Sequence, residues 1–457
     1  MKIIVIGCTH AGIAAITQIL TEHPDASVTV YERHDNVSFL SCGISLYLSG
    51  QVKHLEDMFY SSPAELRALG ATVNLQHDVL QIDKEARQIS VENLQTKAIF
   101  MDHYDKLIMA TGSSVAVPPL FGIDEEQVLL CKDYAQAQAI YQTAQIQHHI
   151  TIVGGGYVGV ELAESYATTE HEVTLIQGPN QLLNNYVDEA LSAVVVDRLQ
   201  QAGVNICLNE RVLAFYGEDG QQVTIETSIG QHQADLVIVC TGFVPNSELL
   251  RGQVALAHNG AILIDDYLQT SDPNIYAAGD VCVVKYNPTA ATAYIPLATN
   301  AIRQGMLAGR NVFGSVQKYL GTQATSAMSV FGDTLATTGL TLKRALTAGF
   351  NARSVTYEGL YRPDYMPDTA PLTIVLVYDL VSRRVLGAQL FSPHEVAQSA
   401  NTISVIIQNQ NTIDDLAYVD MLFQPQYDYP FNYLNLVAQA AIKQAADQEN
   451  KQSGERS

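Results

Sequence analysis

The chain contains the same strand, glycine turn, helix and strand pattern twice, and this repeat is its most constraining feature. The first copy consists of the strand Ile3–Ile6, the turn Gly7–Gly12, the apolar helix Ile13–Leu20 and the strand Val28–Tyr31. The second copy repeats these parts as Ile150–Val153, Gly154–Gly159, Val160–Thr168 and Val173–Ile176. A glycine turn between a strand and a helix lets the backbone approach a pyrophosphate at the helix N-terminus. The duplication therefore predicts an α/β chain with two doubly wound, Rossmann-like dinucleotide-binding domains.

Two further segments resemble each other and help to place the domain boundaries. Tyr104–Gly112 and Ala234–Gly242 each read as a buried strand that ends in Thr-Gly, at the edge where such a sheet meets its cofactor. Pro118-Pro119 marks a crossover into the second domain, and Pro245-Asn246 marks a return to the first. We predict a first dinucleotide domain over residues 1–117 and 246–322, with the second domain inserted at 118–245.

The sequence pattern changes beyond about residue 322. The strands Ser329–Phe331 and Thr373–Tyr378 alternate there with one helix, Glu395–Ile407, and the region has no glycine fingerprint of its own. We predict an α+β domain over residues 323–450. The polar segment Lys443–Ser457 is expected to be frayed, with residues 451–457 forming a flexible tail.

Acidic residues that follow strands indicate the nature of the first nucleotide. Thr9 replaces the middle glycine of the first turn, but Glu32 ends the next strand 20 residues after Gly12. A carboxylate at that position accepts the hydroxyl groups of an adenosine ribose. The segment Thr270–Asp280 reads as a turn and a short strand ending in Gly-Asp, which suits a flavin ribitol hydroxyl bound by Asp280. Two dinucleotide units on one chain predict a flavin dinucleotide and a nicotinamide.

The second unit has all three glycines, but the position of its acidic residue is taken by Gln177. A neutral amide can bond a ribose hydroxyl, and it does not repel a 2′-phosphate as a carboxylate does. No Arg or Lys lies between Gly178 and Tyr186 to bind such a phosphate. The sequence therefore favours NADH and predicts some tolerance of NADPH.

The composition limits which partners the protein is expected to bind and in which cellular compartment it is expected to lie. Lys and Arg total 25 against 47 Asp and Glu, giving a formal net charge of −22, which repels nucleic acid and anionic membranes. No apolar run approaches the roughly 20 residues of a membrane span. Six cysteines without a CxxC pair, and no leader ahead of Ile3, predict a cytoplasmic protein with reduced thiols. The histidines lack metal-ligand spacing, so no metal is assigned.

Cys42 is the candidate redox residue. It lies in the turn Ser38–Gly43, before the apolar segment Ile44–Leu48, which reads as a first helical turn whose dipole is expected to stabilise a thiolate. Because no second cysteine lies four or five residues away, the thiolate is expected to cycle through sulfenic acid or a mixed disulfide. The remaining cysteines are interpreted as small hydrophobic residues: Cys8, Cys131, Cys207, Cys240 and Cys282.

His10 lies inside the first phosphate turn, where a merely structural imidazole is uncommon. It is a candidate to stabilise the Cys42 thiolate or to relay protons. A plain turn histidine remains the alternative interpretation.

Taken together, these motifs resemble those of the single-cysteine flavoprotein disulfide reductases, and most of all the water-forming NADH oxidases of lactic acid bacteria. NADH peroxidase and CoA-disulfide reductase are near relatives in that family. The resemblance covers nearly the whole chain. The matching segments are Gly7–Gly12, Ser38–Gly43, Ala110–Ser113, Gly154–Gly159, Ala277–Asp280, Leu297–Asn300, Phe423–Pro425 and Pro430–Asn435.

The resemblance implies an FAD domain, an inserted NAD(P)H domain and a C-terminal dimerisation domain in a homodimer or a higher assembly. It also implies that the partner's segment around Tyr427 closes over the flavin site. The residues implied to contact FAD are Gly7, Thr9, His10, Ala11, Gly12, Glu32, Arg33, Cys42, Val79, Ala110, Thr111, Gly112, Ser113, Lys132, Asp280, Ala298, Thr299 and Tyr427. Those implied to contact NAD(P)H are Gly154, Gly156, Tyr157, Val158, Gly159, Gln177, Tyr186 and Gly242.

Within the family, two positions favour the oxidase. CoA-disulfide reductases usually lack a histidine at the position of His10. Peroxidases tend to carry an arginine where this chain has Ile302, and Arg303 one step later is expected to point elsewhere. The hypothesis is an FAD-dependent NADH oxidase in which Cys42 is oxidised to sulfenic acid by peroxide formed from O₂, and a second NADH restores the thiol. NADH peroxidase or CoA-disulfide reductase activity remains the alternative, and a flavin-bound redox sensor is the non-enzymatic one.

Overall fold

The computed structural model describes residues 1–218 and 222–454. The helices are α1 His10–Glu22, α2 Ile44–Leu48, α3 Pro63–Ala68, α4 Tyr134–Ala144, α5 Tyr157–Ala167, α6 Glu189–Gln201, α7 Ala298–Asn311, α8 Leu342–Thr347, α9 Ala397–Gln408, α10 Ile413–Tyr418 and α11 Tyr433–Gly454. The strands of the first half are β1 Lys2–Ile6, β2 Ser27–Glu32, β3 Thr72–Leu75, β4 His77–Asp83, β5 Gln88–Asn93, β6 Ile99–His103, β7 Lys106–Met109, β8 Ser113–Val115, β9 Val128–Leu130, β10 His149–Val153, β11 Glu172–Gln177 and β12 Asn205–Leu208. Those of the second half are β13 Val212–Glu218, β14 Gln222–Thr227, β15 Gln231–Ala234, β16 Leu236–Val239, β17 Phe243–Pro245, β18 Ile275–Ala277, β19 Val284–Tyr286, β20 Ala291–Ala293, β21 Ser326–Val330, β22 Asp333–Gly339, β23 Ala352–Leu360, β24 Pro371–Asp379 and β25 Val385–Ser392.

Two five-stranded parallel sheets share one topology, which confirms the predicted α/β duplication. The first has the order β18-β7-β1-β2-β3 and the second has the order β12-β11-β10-β16-β9. In each sheet the strand before the glycine turn is central, with Ile3 paired to Val28 in the first and Ile150 paired to Val173 in the second. These strands are nearly all buried because helices cover one face of each sheet and a three-stranded antiparallel sheet packs on the other.

The two dinucleotide domains are joined by a short antiparallel pair of strands. Strand β8 leads out of the first domain and β17 leads back, and Phe243 of β17 pairs with Val115 of β8. Each domain also carries a three-stranded antiparallel sheet, β4-β5-β6 in the first and β13-β14-β15 in the second. The β8–β17 pair therefore lies beside the predicted crossover and return, at the carboxyl edges of both large sheets.

Glycines let two helices of the first domain approach each other closely. Helix α7 packs on α1, and a Cβ atom at Gly305 would lie 2.2 Å from the carbonyl oxygen of Ala11. One at Gly309 would lie 2.6 Å from the carbonyl oxygen of Ala15. This contact holds the two helices side by side in parallel. The N-termini of both helices therefore lie at the same edge of the sheet.

The C-terminal domain is an antiparallel sheet of order β21-β22-β25-β24-β23 covered by helices. The sequence prediction of one helix there was incomplete, since α8, α10 and α11 accompany α9. The segment from Lys443 is also not frayed throughout: α11 continues to Gly454, because Ala441 and Ala445 are fully buried against the domain core. Residues 455–457 of the expected tail lie outside the described residues. In the described ranges, no helix has both the length and the apolar character needed to cross a lipid bilayer.

Candidate active site between two dinucleotide-binding domains

Both glycine turns are packed directly against a neighbouring strand end. Gly7 has φ +95, and a Cβ atom there would lie 2.3 Å from the carbonyl oxygen of Ala110. Gly154 has φ +112, and a Cβ atom there would lie 2.5 Å from the carbonyl oxygen of Cys240. Only glycine fits this combination of a left-handed backbone and close approach. Each turn is thereby fixed at the carboxyl edge of its sheet.

The helices that follow the turns begin with free backbone N–H groups. Thr9 precedes α1 and Gly156 precedes α5, and neither provides a side-chain cap. Neither helix has an acidic residue in its first turn. Unpaired N–H groups and the positive end of the helix dipole favour an anionic ligand. Both sites are therefore suited to a pyrophosphate.

The residues at the ends of β2 and β11 hold the two glycine turns in the same way. The carboxylate of Glu32 accepts the backbone N–H groups of Cys8, at 2.7 Å, and His34, at 2.9 Å. In the second domain, Oε1 of Gln177 accepts the N–H of Gly155 at 2.8 Å. The two side chains therefore make equivalent bonds to the turn, but only one of them carries a charge.

A cavity of about 710 Å³ runs along the edge of the first sheet, from the glycine turn towards the second domain. Most of the residues predicted to contact FAD line it: Gly7, Thr9, His10, Ala11, Glu32, Arg33, Val79, Ala110, Thr111, Gly112, Ser113, Lys132 and Asp280. Gly12 lies inside α1, and Ala298 and Thr299 begin α7. Tyr427 is 66% exposed in the C-terminal domain. The structure thus brings together residues from both predicted segments of the first domain, including Ser113 of β8, and Lys132 from the segment between β9 and α4.

A charged network occupies the inner part of this cavity. Nζ of Lys132 lies 3.3 Å from the carboxylate of Asp280 and 2.8 Å from Oγ of Ser113, which itself donates to Asp280 at 2.8 Å. Nζ of Lys132 also lies 3.9 Å from the ring centroid of Phe243, on β17 of the joining pair. A cation and an anion are therefore held at fixed positions where the two domains meet.

His10 is bonded to a residue that sequence reasoning missed. Nδ1 of His10 lies 2.8 Å from the hydroxyl oxygen of Tyr60. Burial lowers the pKa of His10, and Lys132 lowers it further, while Asp280 acts in the opposite direction. The neutral imidazole is therefore favoured, with a phenol hydroxyl as its proton-exchange partner. No local motif marks Tyr60, which lies 50 positions away along the chain.

Cys42 lies in a tight turn, Ser41–Gly43, immediately before α2, so the predicted helical turn is confirmed. The net direction of its pKa differs from the expected stabilisation of a thiolate by the helix start. Burial raises the pKa of Cys42, and the carboxylate of Glu161 raises it further, whereas Lys132 and the backbone lower it. Helix α2 has only five residues, so its dipole is too short to outweigh desolvation. The thiol is nevertheless exposed.

Glu161 is a second residue that the sequence did not indicate. It lies on α5 of the inserted domain, and α5 packs on α2, where Oγ of Ser165 donates to the carbonyl oxygen of Ser45 at 3.0 Å. Burial, with a smaller contribution from Glu164, raises the pKa of Glu161 to about 7. A carboxyl group with a pKa near neutrality therefore acts electrostatically on the candidate redox thiol from the inserted domain.

The predicted nicotinamide nucleotide residues line the turn of the second domain. The rings of Tyr157 and Tyr186 are 4.2 Å apart between centroids. The hydroxyl of Tyr157 lies within hydrogen-bonding distance of Ser326 and Thr337 in the C-terminal domain. A Cβ atom added at Gly156 or Gly242 would meet no other atom within 4 Å, so the backbone there is open to a ligand. Val158 and Gly159 continue into α5.

Arg303 points away from the first glycine turn, as expected. Its guanidinium donates to Oδ1 of Asn300 at 2.6 Å and to the carbonyl oxygens of Thr299 and Gly321. These bonds fix the guanidinium against α7 and the link to the C-terminal domain. Ile302 is 41% exposed.

This arrangement defines a class of protein: a redox protein with two dinucleotide sites on one chain and a single exposed thiol where they meet. Residues 1–305 match the pyridine nucleotide-disulphide oxidoreductases, and residues 326–431 match the dimerisation domain of the same group. The chain belongs to the pyridine nucleotide-disulphide oxidoreductase family.

Within this family, the chain is similar to proteins named as NADH or NADPH oxidases. An NADH oxidase of Enterococcus faecalis is 47% identical over 444 residues, which cover 97% of this chain and 100% of that protein. The solved structure of a water-forming NADH oxidase from Lactobacillus brevis, bound to NADH, is 50% identical, with a TM-score of 0.97 and coverage of 98% of this chain and 99% of that one. An engineered water-forming NADPH oxidase derived from it, bound to NADPH, is also 50% identical, with a TM-score of 0.97 and coverage of 98% and 100%.

Proposed function

We propose that this protein is an FAD-dependent NADH oxidase that reduces O₂ to water. The observation that carries the proposal is the exposed thiol of Cys42 beside the Lys132–Asp280 pair, at the junction of two pyrophosphate-binding turns. The likeness to water-forming NADH oxidases over nearly the whole chain supports the same activity.

The residues of the first domain fit FAD. The close packing at Gly7 leaves room for backbone but not for a side chain, and the uncapped start of α1 suits a pyrophosphate. Glu32 is placed to accept ribose hydroxyls, and Asp280 to accept a ribitol hydroxyl. Bound FAD would accept hydride from NADH and pass the electrons on to O₂.

Cys42 provides the step that forms water. Its thiolate sulfur attacks one oxygen of hydrogen peroxide, an S–O bond forms and the O–O bond breaks, and the leaving hydroxide takes a proton to become water. The resulting sulfenic acid receives the electron pair of a second NADH and a proton, which returns the thiolate and releases the second oxygen as water. Lys132 lies close enough to favour the thiolate electrostatically.

His10 relays a proton from solvent to the leaving hydroxide. Its neutral imidazole, favoured by burial, takes up the proton and delivers it as the imidazolium, while the hydroxyl of Tyr60, 2.8 Å from Nδ1, orients the ring. The alternative of a peroxidase is less well supported, since the guanidinium of Arg303 is bonded to Asn300 and does not serve His10.

The wild-type enzyme is expected to consume about two NADH per O₂ without any added acceptor, because four electrons are needed to form two waters. An oxygen electrode with parallel absorbance of NADH measures this ratio, and a catalase addition serves as the control for released peroxide. A ratio near one, with O₂ returned on adding catalase, would contradict the proposal. Negligible O₂ uptake with rapid turnover of added peroxide would instead support a peroxidase.

We also propose that NADH is preferred and NADPH is tolerated, because Gln177 makes the turn bond without a negative charge. A Gln177→Glu variant is expected to raise the NADH-to-NADPH ratio of kcat/KM by about tenfold or more, since a carboxylate repels the 2′-phosphate. Gln200→Glu, the same amide-to-acid change at an exposed position near the end of α6, is the matched control. Steady-state kinetics with both nucleotides measures the ratio, and an unchanged ratio in Gln177→Glu would contradict this role.

We further propose that the protein acts as a homodimer in the cytoplasm. The match to a dimerisation domain supports the dimer. Exposed apolar side chains on this domain suit a subunit interface: Tyr418, Leu422, Phe423, Tyr427 and Phe431. Tyr427 of the partner subunit would then approach the flavin site. The six free cysteines suit a reducing compartment.

A further inference from the structure

A cysteine, a glutamate and a histidine converge in the inserted domain, away from the cavity of the redox site. Cys207 lies on β12, Glu210 follows in the next turn, and His232 lies on β15. Their potential ligand atoms all lie within 4.8 Å of one another. Cys207 and His232 lie on the edge strands of two different sheets, so the meeting of the three residues depends on the tertiary fold.

Glu210 is the centre of this cluster. Its side chain is only 4% exposed, and its Oε1 lies 2.6 Å from Nε2 of His232 and 2.6 Å from Oγ1 of Thr227. The backbone at Asn209 has φ 55, a left-handed conformation that asparagine tolerates, and it turns Glu210 inwards. Nδ2 of Asn205 lies 3.8 Å from Sγ of Cys207. The ligand atoms are therefore held by neighbours before any ion arrives.

We propose that Cys207, Glu210 and His232 form a binding site for a divalent transition-metal ion of the zinc class. Thiolate, imidazole and carboxylate are the three ligand types that Zn²⁺ accepts, with bonds of about 2.0–2.3 Å, and a water molecule completes the tetrahedron. Spacings of up to 4.8 Å between ligand atoms require only small side-chain shifts to reach that geometry. The net charge of −22 also attracts cations.

Binding changes the protonation of two ligands without any redox step. Coordination needs a thiolate, so the Cys207 proton passes to solvent when the sulfur–metal bond forms. Nε2 of His232 must likewise carry no hydrogen, so its proton moves to Nδ1 or to solvent. The carboxylate of Glu210 then exchanges its hydrogen bond from His232 for a bond to the metal, while Thr227 continues to orient it.

The site adjoins the segment that holds the nicotinamide nucleotide. The backbone N–H of Glu210 donates to the carbonyl oxygen of Gln177 at 3.1 Å, and that of Asn209 donates to the carbonyl oxygen of Pro179 at 3.1 Å. A metal that fixes Glu210 would therefore also fix the backbone of Gln177. Zinc binding is measured without turnover, so the result is independent of the proposed oxidase activity.

Zinc binding to the chelator-treated holoenzyme provides the test. Every sample carries Cys42→Ser, because the exposed Cys42 thiol could itself bind zinc. Zn²⁺ is titrated by calorimetry, and zinc per flavin is counted after dialysis. We expect about one zinc per chain in this background, and X-ray absorption should show one sulfur at about 2.3 Å with nitrogen or oxygen near 2.0 Å.

Substitutions of the ligands identify the site. Adding Cys207→Ser or His232→Gln is expected to weaken zinc binding by at least about tenfold, whereas adding His258→Gln, at an exposed histidine, is expected to leave it unchanged. Glu210→Gln provides a variant of similar shape, and flavin content per chain reports whether each variant is folded. Unchanged zinc affinity in folded Cys207→Ser and His232→Gln proteins, no zinc uptake in the background protein, or a spectrum without sulfur would overturn the proposal.

Discussion

A Cys42→Ser enzyme is expected to continue to oxidise NADH but to release hydrogen peroxide in place of water. The hydroxyl of serine cannot attack peroxide and become a sulfenic acid, so the second two-electron step is lost. The ratio of NADH to O₂ should fall from about two to about one, with about one peroxide formed per NADH. A peroxide-specific dye assay, run beside an oxygen electrode, measures both quantities.

The matched control for this experiment is Cys282→Ser. Cys282 is buried, and its Sγ donates to the carbonyl oxygen of Gly279 at 3.3 Å, a bond that a serine hydroxyl can also make. This variant should still form water. If Cys42→Ser also forms only water, the role assigned to Cys42 is wrong, whereas loss of all NADH consumption would place the thiol in an earlier step.

A Gly7→Ala protein is expected to lose most of its flavin. The new Cβ atom would lie 2.3 Å from the carbonyl oxygen of Ala110, in a backbone with φ +95. Strain and overlap together should destabilise the turn by roughly 3 kcal/mol or more, and the strand end at Ala110 must move away from the cavity. The ratio of flavin to protein absorbance measures the loss, and thermal unfolding should show a lower midpoint.

The Gly50→Ala variant separates the effect of backbone strain from the effect of steric overlap. Gly50 also has a positive φ, +74, but no atom lies within 4 Å of the added side chain. The Gly50→Ala substitution should lower the free energy of unfolding by only about 1–2 kcal/mol, through backbone strain. The protein should retain its flavin. Equal flavin loss in both variants would show that close approach at Gly7 is not what matters for the cofactor.

The sequence predicts the parts of the fold and site that depend on short segments. Each glycine turn, the residue that ends the strand after it and the helical turn after Cys42 are encoded by short local segments, and the two parallel sheets follow from the repeated pattern. Helices α8 and α10 were missed because six-residue segments resemble loops until the rest of the domain covers them. The 22-residue α11 was missed because its polar second half was interpreted as a frayed tail.

Other features depend on contacts between distant segments, which no motif reveals. Tyr60 bonds to His10 only because the chain between them folds back, and Glu161 acts on the pKa of Cys42 from α5, which packs on α2. The pKa of Cys42 rises where a helix start alone suggested a fall, because burial and the charge of Glu161 on the inserted domain both raise it. For the same reason, the Cys207–Glu210–His232 cluster has no recognisable ligand spacing.

The hydrogen bond between Gln177 and Gly155 has an evolutionary consequence. The side-chain oxygen holds the turn in place whether it belongs to an amide or to a carboxylic acid, as the equivalent bond from Glu32 in the first domain demonstrates. If the charge at this position sets coenzyme choice, as we propose, architecture and coenzyme choice are encoded by different attributes of one side chain, its shape and its charge. A single-codon exchange between Gln and Glu would then change the electron-donor preference while preserving the bond that holds the turn.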